Sequence, residues 1–257
     1  MLTPILIATL GLAMAVTAFL SGLFGMAGGM ILIGILLAIQ PLPEAMALHA
    51  VTQMASNGWR GLLWRRHIRP GAAVAYLIGA SAAMVAWSFW RYVPSAPTAM
   101  LFLGVTPFAV KLLPQRLQPD AGRKGHGLVY GAICMSLLLL TGVVGPLIDT
   151  YFLGGKLDRR EIVATKALCQ IFGHGVKLVY FGSIVDQAAT LDPKMMAVAI
   201  VASMLGTSAA RRFLEAMSDA QFRTWATRII VAISGFYVLQ GLYLLFIPAF
   251  VPALAQP

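Results

Sequence analysis

Charged side chains are scarce in this chain. Only 11% of its 257 residues are aspartate, glutamate, lysine or arginine, whereas 59% are hydrophobic and the mean hydropathy is +0.82. A soluble domain carries about 25% charged residues, so the composition excludes a water-soluble globular fold. Long apolar runs recur along the chain, and helices can span a membrane because they satisfy their own backbone hydrogen bonds. The sequence therefore predicts an all-α integral membrane protein with a single transmembrane domain over 1–257.

Cysteine and acidic residues are also few. The two cysteines, Cys134 and Cys169, both fall within apolar runs, which gives no basis for a disulfide framework. The net charge is +10, but the basic residues lie in short clusters between apolar runs, which argues against nucleic acid as a partner. We expect no cofactor and no metal. The first 20 residues lack the basic start of a signal peptide, and we expect them to form a helix of the mature protein.

The two halves of the chain resemble each other. Three pairs of segments match in the same order, at spacings of 120, 117 and 127 positions. The pairs are SGLFGMAGGMILIG at 21–34 with TGVVGPLIDTYFLG at 141–154, EAMALHAVTQMASNG at 44–58 with EIVATKALCQIFGHG at 161–175, and GASAA at 79–83 with GTSAA at 206–210. In an apolar chain, duplicated halves with glycine-interrupted helices are typical of secondary transporters. We predict a first repeat over 1–116 and a second, inverted repeat over 126–250.

The positions of lysine and arginine predict the orientation. With the short runs 30–40 and 147–155 counted as crossings, the chain has ten helical segments, five in each repeat, and the odd number inverts the second repeat. On this topology 15 basic residues, beginning with Arg60, fall in loops on one face, and only Arg91 and Lys194 fall on the other. Basic loops mark the cytoplasmic side, so both termini are predicted to lie outside the cytoplasm. We expect the location to be a bacterial inner (plasma) membrane.

Each repeat contains a segment that is too short to cross in the ordinary way. Eleven helical residues from 30 to 40 extend about 16 Å, roughly half of the ~30 Å hydrocarbon core. Either the first helix breaks at Gly25–Gly29 and the chain re-enters, or the short segment is a half-helix buried by its neighbours. The alternative role for Gly25, Gly28 and Gly29 is close packing between helices.

Polar residues form a stripe on one helix of each repeat. The stripe comprises His49, Thr52, Gln53 and Asn57 in the first repeat and Lys166, Gln170 and His174 in the second. Residues four apart share a helix face, and polar groups inside a membrane normally face the bundle interior or a water path. Gln53 and Gln170 each lie about nine residues from opposite membrane faces, so an inverted repeat brings both near the midplane. We predict that the stripe, with Gly28 and Gly29, binds the substrate.

Other interpretations of the stripe stay open. Lys166 can extend its ammonium group to the cytoplasmic surface, and the two histidines can bond to neighbouring helices. The alternative for Gln53 and Gln170 is a hydrogen bond between helices. Lys177 and Glu161, near the ends of the same helix, are predicted to lie at the membrane interface rather than in the site.

The second glycine motif carries an acid. When Gly25 is aligned with Gly145, Asp149 and Thr150 take positions that are uncharged in the first repeat. Asp149 either caps the following half-helix by accepting backbone N–H bonds or carries a coupling proton, as intramembrane carboxylates do. Thr150 joins the predicted binding residues. Helix N-termini at the breaks and Lys166 make the region positive, so the substrate is predicted to be a small anion.

The GLFGMAGGMILIG opening, the Ala- and Thr-rich helix after Glu44 and their duplication resemble the sulfite exporter TauE/SafE family of membrane transporters. The resemblance covers essentially the whole chain. It implies an α-helical bundle of two related halves that moves sulfur-containing anions, such as sulfite and sulfonates, or other small organic acids. The glycine motif of the second repeat, at 141–154, departs from the family pattern, since Ile148 and Asp149 replace the expected glycine pair. The proline usual soon after the first glycine cluster is absent, and Pro41 follows later.

The leading hypothesis is a secondary active transporter, not an enzyme, that moves a small sulfur-containing anion by alternating access with proton coupling through Asp149. The rivals are an anion channel and an intramembrane enzyme acting on a lipid phosphate. Phosphate chemistry needs clustered acids and arginine at the two glycine motifs, which offer only Asp149 and no arginine. A serine nucleophile is not indicated either, because Ser21 lacks a GxSG-type context. The anion and the lipid bilayer are the predicted partners, and a homodimer is left open.

Overall fold

The computed structural model describes residues 4–25, 27–90, 96–180 and 192–246. Within these ranges the chain contains helices and no strand, which confirms the predicted all-α fold. The described residues form ten α-helices, five on each side of the loop at 112–125. The helices are α1 Pro4–Phe24, α2 Ala27–Ile39, α3 Leu42–Leu63, α4 Pro70–Trp90, α5 Ala96–Lys111, α6 His126–Thr141, α7 Gly145–Leu153, α8 Arg159–Val179, α9 Pro193–Ala216 and α10 Asp219–Phe246, with a 3₁₀ turn at Arg65–His67.

The outer helices present an apolar surface. Of the described helices, five are long and apolar enough to cross a membrane, namely α1, α4, α8, α9 and α10. Large apolar side chains point outward; Phe89 is 86% exposed, Leu239 70% and Leu205 64%. Polar and charged side chains are instead buried on α3 and α8. An apolar exterior around a polar interior is the arrangement that a bilayer stabilises, and it defines a multi-pass membrane protein.

The two segments predicted to be short, 30–40 and 147–155, correspond to short helices in the structure. α2 has 13 residues and α7 has nine, which correspond to about 20 Å and about 14 Å of helix. Neither length reaches across a hydrocarbon core of ~30 Å. α1 ends at Phe24 and α2 begins at Ala27, so the first half does break within Gly25–Gly29. Most α7 residues are buried, which makes α7 a half-helix enclosed by its neighbours.

Both breaks contain a glycine with a positive φ angle. Gly25 follows α1 with φ of 87°, and Gly142 follows α6 with φ of 76°. Glycine adopts this left-handed region at no steric cost because it has no Cβ atom. The two glycines are 117 positions apart, the same spacing as Gln53 and Gln170. By position and backbone conformation Gly142 matches Gly25, whereas the sequence alignment set Gly25 against Gly145.

The helices pack in pairs that recur between the two halves. α1 packs along α9, and α4 packs along α6. If each helix is replaced by the helix at the same place in the other half, α1 by α6 and α9 by α4, the first pair becomes the second. In the same scheme α3 packs on its own counterpart α8, and α5 packs on its own counterpart α10. The four most extensive helix packings of the described residues are therefore unchanged when the two halves are exchanged.

Matching glycines allow two of these helix pairs to approach closely. A Cβ atom at Gly79 would collide with the carbonyl oxygen of Leu128 on α6, and one at Gly206 would collide with that of Ala15 on α1. The two glycines occupy corresponding positions of the GASAA and GTSAA segments. Small residues let helix backbones pack closely in membranes, so the third sequence match marks the same helix crossing in both halves.

Candidate functional site

The polar stripe lies between α3 and α8, which pack against each other. Its residues on both helices are buried, and none is more than 6% exposed. They are His49, Thr52, Gln53 and Asn57 on α3 and Lys166, Gln170 and His174 on α8. The rings of His49 and His174 meet edge to face with their centroids 5.5 Å apart. The structure therefore brings the two predicted sets of residues together inside the bundle.

Lys166 closes the break of the first half. Its Nζ donates to the carbonyl oxygen of Phe24, the last residue of α1, at 3.2 Å, and it forms an ion pair with Asp149 of α7. The two side chains are 0% and 2% exposed, so the alternative in which Lys166 extends to the membrane surface is wrong. The alternative role of Asp149 as a helix cap is also wrong, because Asp149 lies within α7 and accepts a hydrogen bond from Lys166.

Lys177 closes the break of the second half. Its Nζ donates to the carbonyl oxygen of Gly142 at 3.2 Å and lies 3.0 Å from Nδ1 of His49. His49 in turn donates through Nε2 to the carbonyl oxygen of Gly29 at 2.9 Å. The prediction that Lys177 is interfacial is wrong, since its side chain is fully buried. Carbonyl groups at a helix C-terminus carry partial negative charge, which explains why a cation stands at each break.

Several polar atoms around the stripe have no hydrogen-bond partner within the described residues. They are Oδ1 of Asn57, Oε1 of Gln170, Nδ1 of His174 and Oδ2 of Asp149. Gln53 lies against α2, where a Cβ atom at Gly29 would be 3.1 Å from its carboxamide. A glutamine carboxamide offers an acceptor oxygen or an N–H donor according to its rotation. Because buried polar groups are normally hydrogen-bonded, these atoms mark a place where a polar ligand can bind.

Two predicted site residues use their contacts within the helix bundle instead. Gly28 packs against α1, where a Cβ atom would collide with the carbonyl oxygen of Thr17. Close helix packing, the alternative considered for this glycine, is therefore what Gly28 provides. The hydroxyl of Thr52 donates to the carbonyl oxygen of Leu48 at 2.7 Å, one turn earlier in α3.

Thr150 lies apart from the stripe. Its hydroxyl donates to the carbonyl oxygen of Pro146 at 2.7 Å. Together with Lys111 and Arg123, Thr150 lines a cavity of about 250 Å³ between α7, the last turn of α5 and the loop that follows α5. The structure thus places Thr150 in a separate cavity, next in sequence to the buried Asp149.

Sequence reasoning missed Arg60. Counted among the basic residues of a loop, Arg60 lies instead within α3 and is 1% exposed. It donates to Ser56, whose hydroxyl also bonds to Thr207 of α9, and Thr207 packs against Gly22 in the last turn of α1, which places Arg60 near the first break. The repeat spacing was the available signal, because Arg60 precedes Lys177 by the same 117 positions that separate Gln53 from Gln170.

Glu161 belongs to the beginning of α8 and not to the stripe. Its carboxylate accepts from the backbone N–H of Asp158 at 3.1 Å and forms an ion pair with Arg69. The first contact completes a capping box, which stabilises the N-terminus of α8. In the part of the chain that the structure describes, no group of three or more histidine, cysteine, aspartate or glutamate side chains is arranged to hold a metal ion.

Interrupted helices around buried polar side chains are typical of membrane transport proteins. A family model for the sulfite exporter TauE/SafE matches residues 10–238, a range that includes both breaks and both stripe helices. The chain therefore belongs to the sulfite exporter TauE/SafE family, which confirms the resemblance. Members of this family are membrane transporters of anions, which suggests that the chain is not an enzyme. No match was found among curated proteins or among solved structures.

Proposed function

We propose that the protein is a secondary active transporter that moves a small sulfur-containing anion, sulfite or an organosulfonate, across a bacterial inner membrane by alternating access. The observation that carries the proposal is the pair of helix breaks, each closed by a buried lysine of α8. Lys166 bonds to Phe24 at the first break, and Lys177 bonds to Gly142 at the second. Broken helices with charged groups at membrane depth form the substrate sites of transporters that are built from two repeats.

The proposed substrate site is the part of the stripe around Gln53 and Gln170. The two glutamines occupy corresponding positions of α3 and α8, and both are buried. Their carboxamide N–H groups can donate to the oxygen atoms of an anion. His49, Asn57 and His174 complete the polar surroundings.

The buried charges favour an anion over a cation. Lys166, Lys177 and Arg60 are buried, whereas Asp149 is the one buried acid among the described residues. A cationic substrate would be repelled by this excess of positive charge, and an anionic substrate would be attracted.

Alternating access rests on the proposed inverted repeats over 1–116 and 126–250. The helix pairs that persist when the halves are exchanged and the matching breaks at Gly25 and Gly142 support this organisation. With both termini outside the cytoplasm, the cavity beside Thr150 faces the cytoplasm and is the proposed entrance from that side. Arg91, one of the two basic residues on the opposite face, and the residues from 247 onward lie outside the described residues.

Proton coupling through Asp149 stays a prediction. Oδ2 of this carboxylate has no hydrogen-bond partner among the described residues, which leaves a position for a proton. Asp149→Asn cannot exchange that proton, so a pH gradient should no longer accelerate its flux. Full gradient-driven flux in this variant would remove the coupling role.

The rival functions predict different fluxes. A channel would pass the anion downhill far faster than a carrier cycle and without sensitivity to an anion on the opposite side. An intramembrane enzyme acting on a lipid phosphate would pass none. The homodimer also stays a prediction, which the molecular mass of the protein in detergent decides.

Uptake into proteoliposomes tests the proposal. Sulfite, a short alkyl sulfonate, sulfate and a carboxylate would each be offered with and without a pH gradient. We expect saturable uptake of one anion and a loss of about tenfold or more in Gln53→Ala/Gln170→Ala, because each glutamine removed takes away hydrogen bonds to the substrate. Gln240→Ala, on α10 and outside the stripe, is the matched control. No flux of any anion would contradict the transport proposal.

A further inference from the structure

Arg60 is a buried cation whose hydrogen-bonding capacity is mostly unused. Its one hydrogen bond among the described residues runs from Nη2 to Oγ of Ser56 at 3.3 Å. Ser56 Oγ also lies 2.9 Å from the hydroxyl of Thr207 on α9. Nε and Nη1 of Arg60 have no partner within the described residues. A buried guanidinium with free N–H groups is costly unless something else binds them.

The charges around Arg60 do not cancel. Arg60, through Ser56 and Thr207, and the pair of Lys166 and Asp149 are all buried near the end of α1. Lys166 and Asp149 are already paired with each other, so this buried group of three side chains keeps one net positive charge. An uncompensated charge inside a membrane protein is expensive, and one negative charge from a ligand would balance it.

The free atoms of Arg60 suit a particular class of ligand. Nε and Nη1 lie on different edges of the planar guanidinium, and Nη2 donates only one of its two hydrogens to Ser56. The second hydrogen of Nη2 therefore leaves one edge, shared with Nε or with Nη1, free to donate to two oxygen atoms of one anion. Gly61, the next residue, faces Ile171 of α8, the helix that also carries Gln170, whose Oε1 is without a partner in the described chain. The hydroxyl of Ser56 accepts from Nη2 of Arg60, and Ser56 in turn bonds to the hydroxyl of Thr207.

We propose that Arg60 binds the oxygen atoms of the substrate and that the site formed by Arg60, Lys166 and Asp149 selects a monovalent oxyanion, such as a sulfonate or hydrogensulfite. A divalent anion would leave an uncompensated negative charge in the same place. This inference rests on the proposed transport function and specifies the substrate's charge. Its test measures binding, so that it does not depend on flux.

The test compares three ligands of similar shape on the purified protein in detergent. Methanesulfonate carries one charge, sulfate carries two, and dimethyl sulfone carries none. Dissociation constants would be measured by calorimetry, and thermal unfolding midpoints would be measured with and without each ligand. The variants are Arg60→Gln, Arg60→Lys and, as the matched control, Arg66→Gln, which changes an exposed arginine just beyond α3.

We expect the unaltered protein and Arg66→Gln to bind methanesulfonate more tightly than sulfate and not to bind the sulfone. Arg60→Gln should raise the dissociation constant about tenfold or more without lowering the ligand-free unfolding midpoint, because the remaining pair is neutral. Arg60→Lys keeps the charge but not the planar fork, and an intermediate affinity is expected. If Arg60→Gln does not fold, Arg60→Lys decides the matter.

Unchanged affinity in the Arg60 variants would overturn the proposal, and so would tighter binding of sulfate. A lower unfolding midpoint without ligand, together with an unchanged dissociation constant, would show that Arg60 stabilises the helix bundle through its hydrogen bond to Ser56 and does not bind the ligand. Methanesulfonate uptake by the unaltered protein, measured in parallel, separates the two claims. If methanesulfonate is taken up and the Arg60 variants bind it with unchanged affinity, the transport proposal holds and the proposed role of Arg60 is refuted. If no anion is either taken up or bound, both proposals are refuted.

Discussion

The imidazole of His49 on α3 and the ammonium group of Lys177 on α8 meet at 3.0 Å. His49 Nε2 bonds to the carbonyl oxygen of Gly29 in the first turn of α2, and Lys177 Nζ bonds to that of Gly142 at the second break. A carbonyl oxygen only accepts, so Nε2 of His49 carries a hydrogen and Nδ1 of the neutral ring accepts from Lys177. A continuous set of hydrogen bonds therefore joins the first turn of α2, just after the first break, to the break of the second half.

Removal of the Lys177 charge should impair transport. In Lys177→Met we expect anion uptake into proteoliposomes to fall about tenfold or more, because the second break loses its cation and the link to His49. Lys177→Arg keeps the charge and should retain more uptake. Lys124→Met, at an exposed position in the loop before α6, serves as the control. Equal uptake by Lys177→Met and the control would contradict a role for the second break.

The pair of Lys166 and Asp149 should dominate local stability. Removing one partner of a buried ion pair leaves an uncompensated charge, which costs about 3–5 kcal/mol of unfolding free energy. Asp149→Asn and Lys166→Met should each show this loss in detergent unfolding, and the double variant should recover part of it.

The exposed pair of Arg211 and Glu215 provides the comparison for that prediction. Its side chains are 47% and 41% exposed, and such pairs contribute about 0–1 kcal/mol. Glu215→Gln should therefore change the unfolding free energy little. A loss in Asp149→Asn no larger than that in Glu215→Gln would mean that the buried pair does not hold the first break in place.

Helical periodicity was sufficient to predict much of the candidate site. The four-residue spacing of His49, Gln53 and Asn57 places them on one face, and the repeated spacing in the second half points to the partner helix. The glycine cluster at Gly25–Gly29 predicted a broken helix because several glycines in succession weaken a helix. The shared helix face and the helix break both depend on residues that are close together in the sequence, so the sequence alone was enough to predict them.

The positions of the long basic side chains could not be predicted in this way. Lys166, Lys177 and Arg60 can reach the membrane surface or turn inward, and the outcome depends on partners from other helices. Asp149, the partner of Lys166, is on α7, a different helix that is 17 positions away in the sequence. The sequence offers glycines at several spacings, whereas the structure shows a glycine with a positive φ angle at each break, Gly25 and Gly142.

Equivalent glycine substitutions should destabilise the two halves alike. Gly79→Ala and Gly206→Ala each push a Cβ atom into a carbonyl oxygen of the facing helix, and such overpacking typically costs about 1–3 kcal/mol. Thermal unfolding in detergent would measure both. Gly71→Ala, in the first turn of α4 with no atom near the added Cβ, is the control and should be tolerated. A large loss at one glycine and none at the other would argue against equivalent helix crossings.

Thiol labelling should place the starts of α4 and α9 on opposite sides of the membrane. In a background with Cys134 and Cys169 replaced by alanine, single cysteines at Arg66→Cys and Lys194→Cys stand at exposed positions beside the N-termini of these corresponding helices. A membrane-impermeant maleimide applied to intact cells should label Lys194→Cys, whereas Arg66→Cys should react only after the cells are opened, because basic loops stay in the cytoplasm. Labelling of both from the same side would mean that the second half is not inverted, and alternating access through the two breaks would then lose its structural basis.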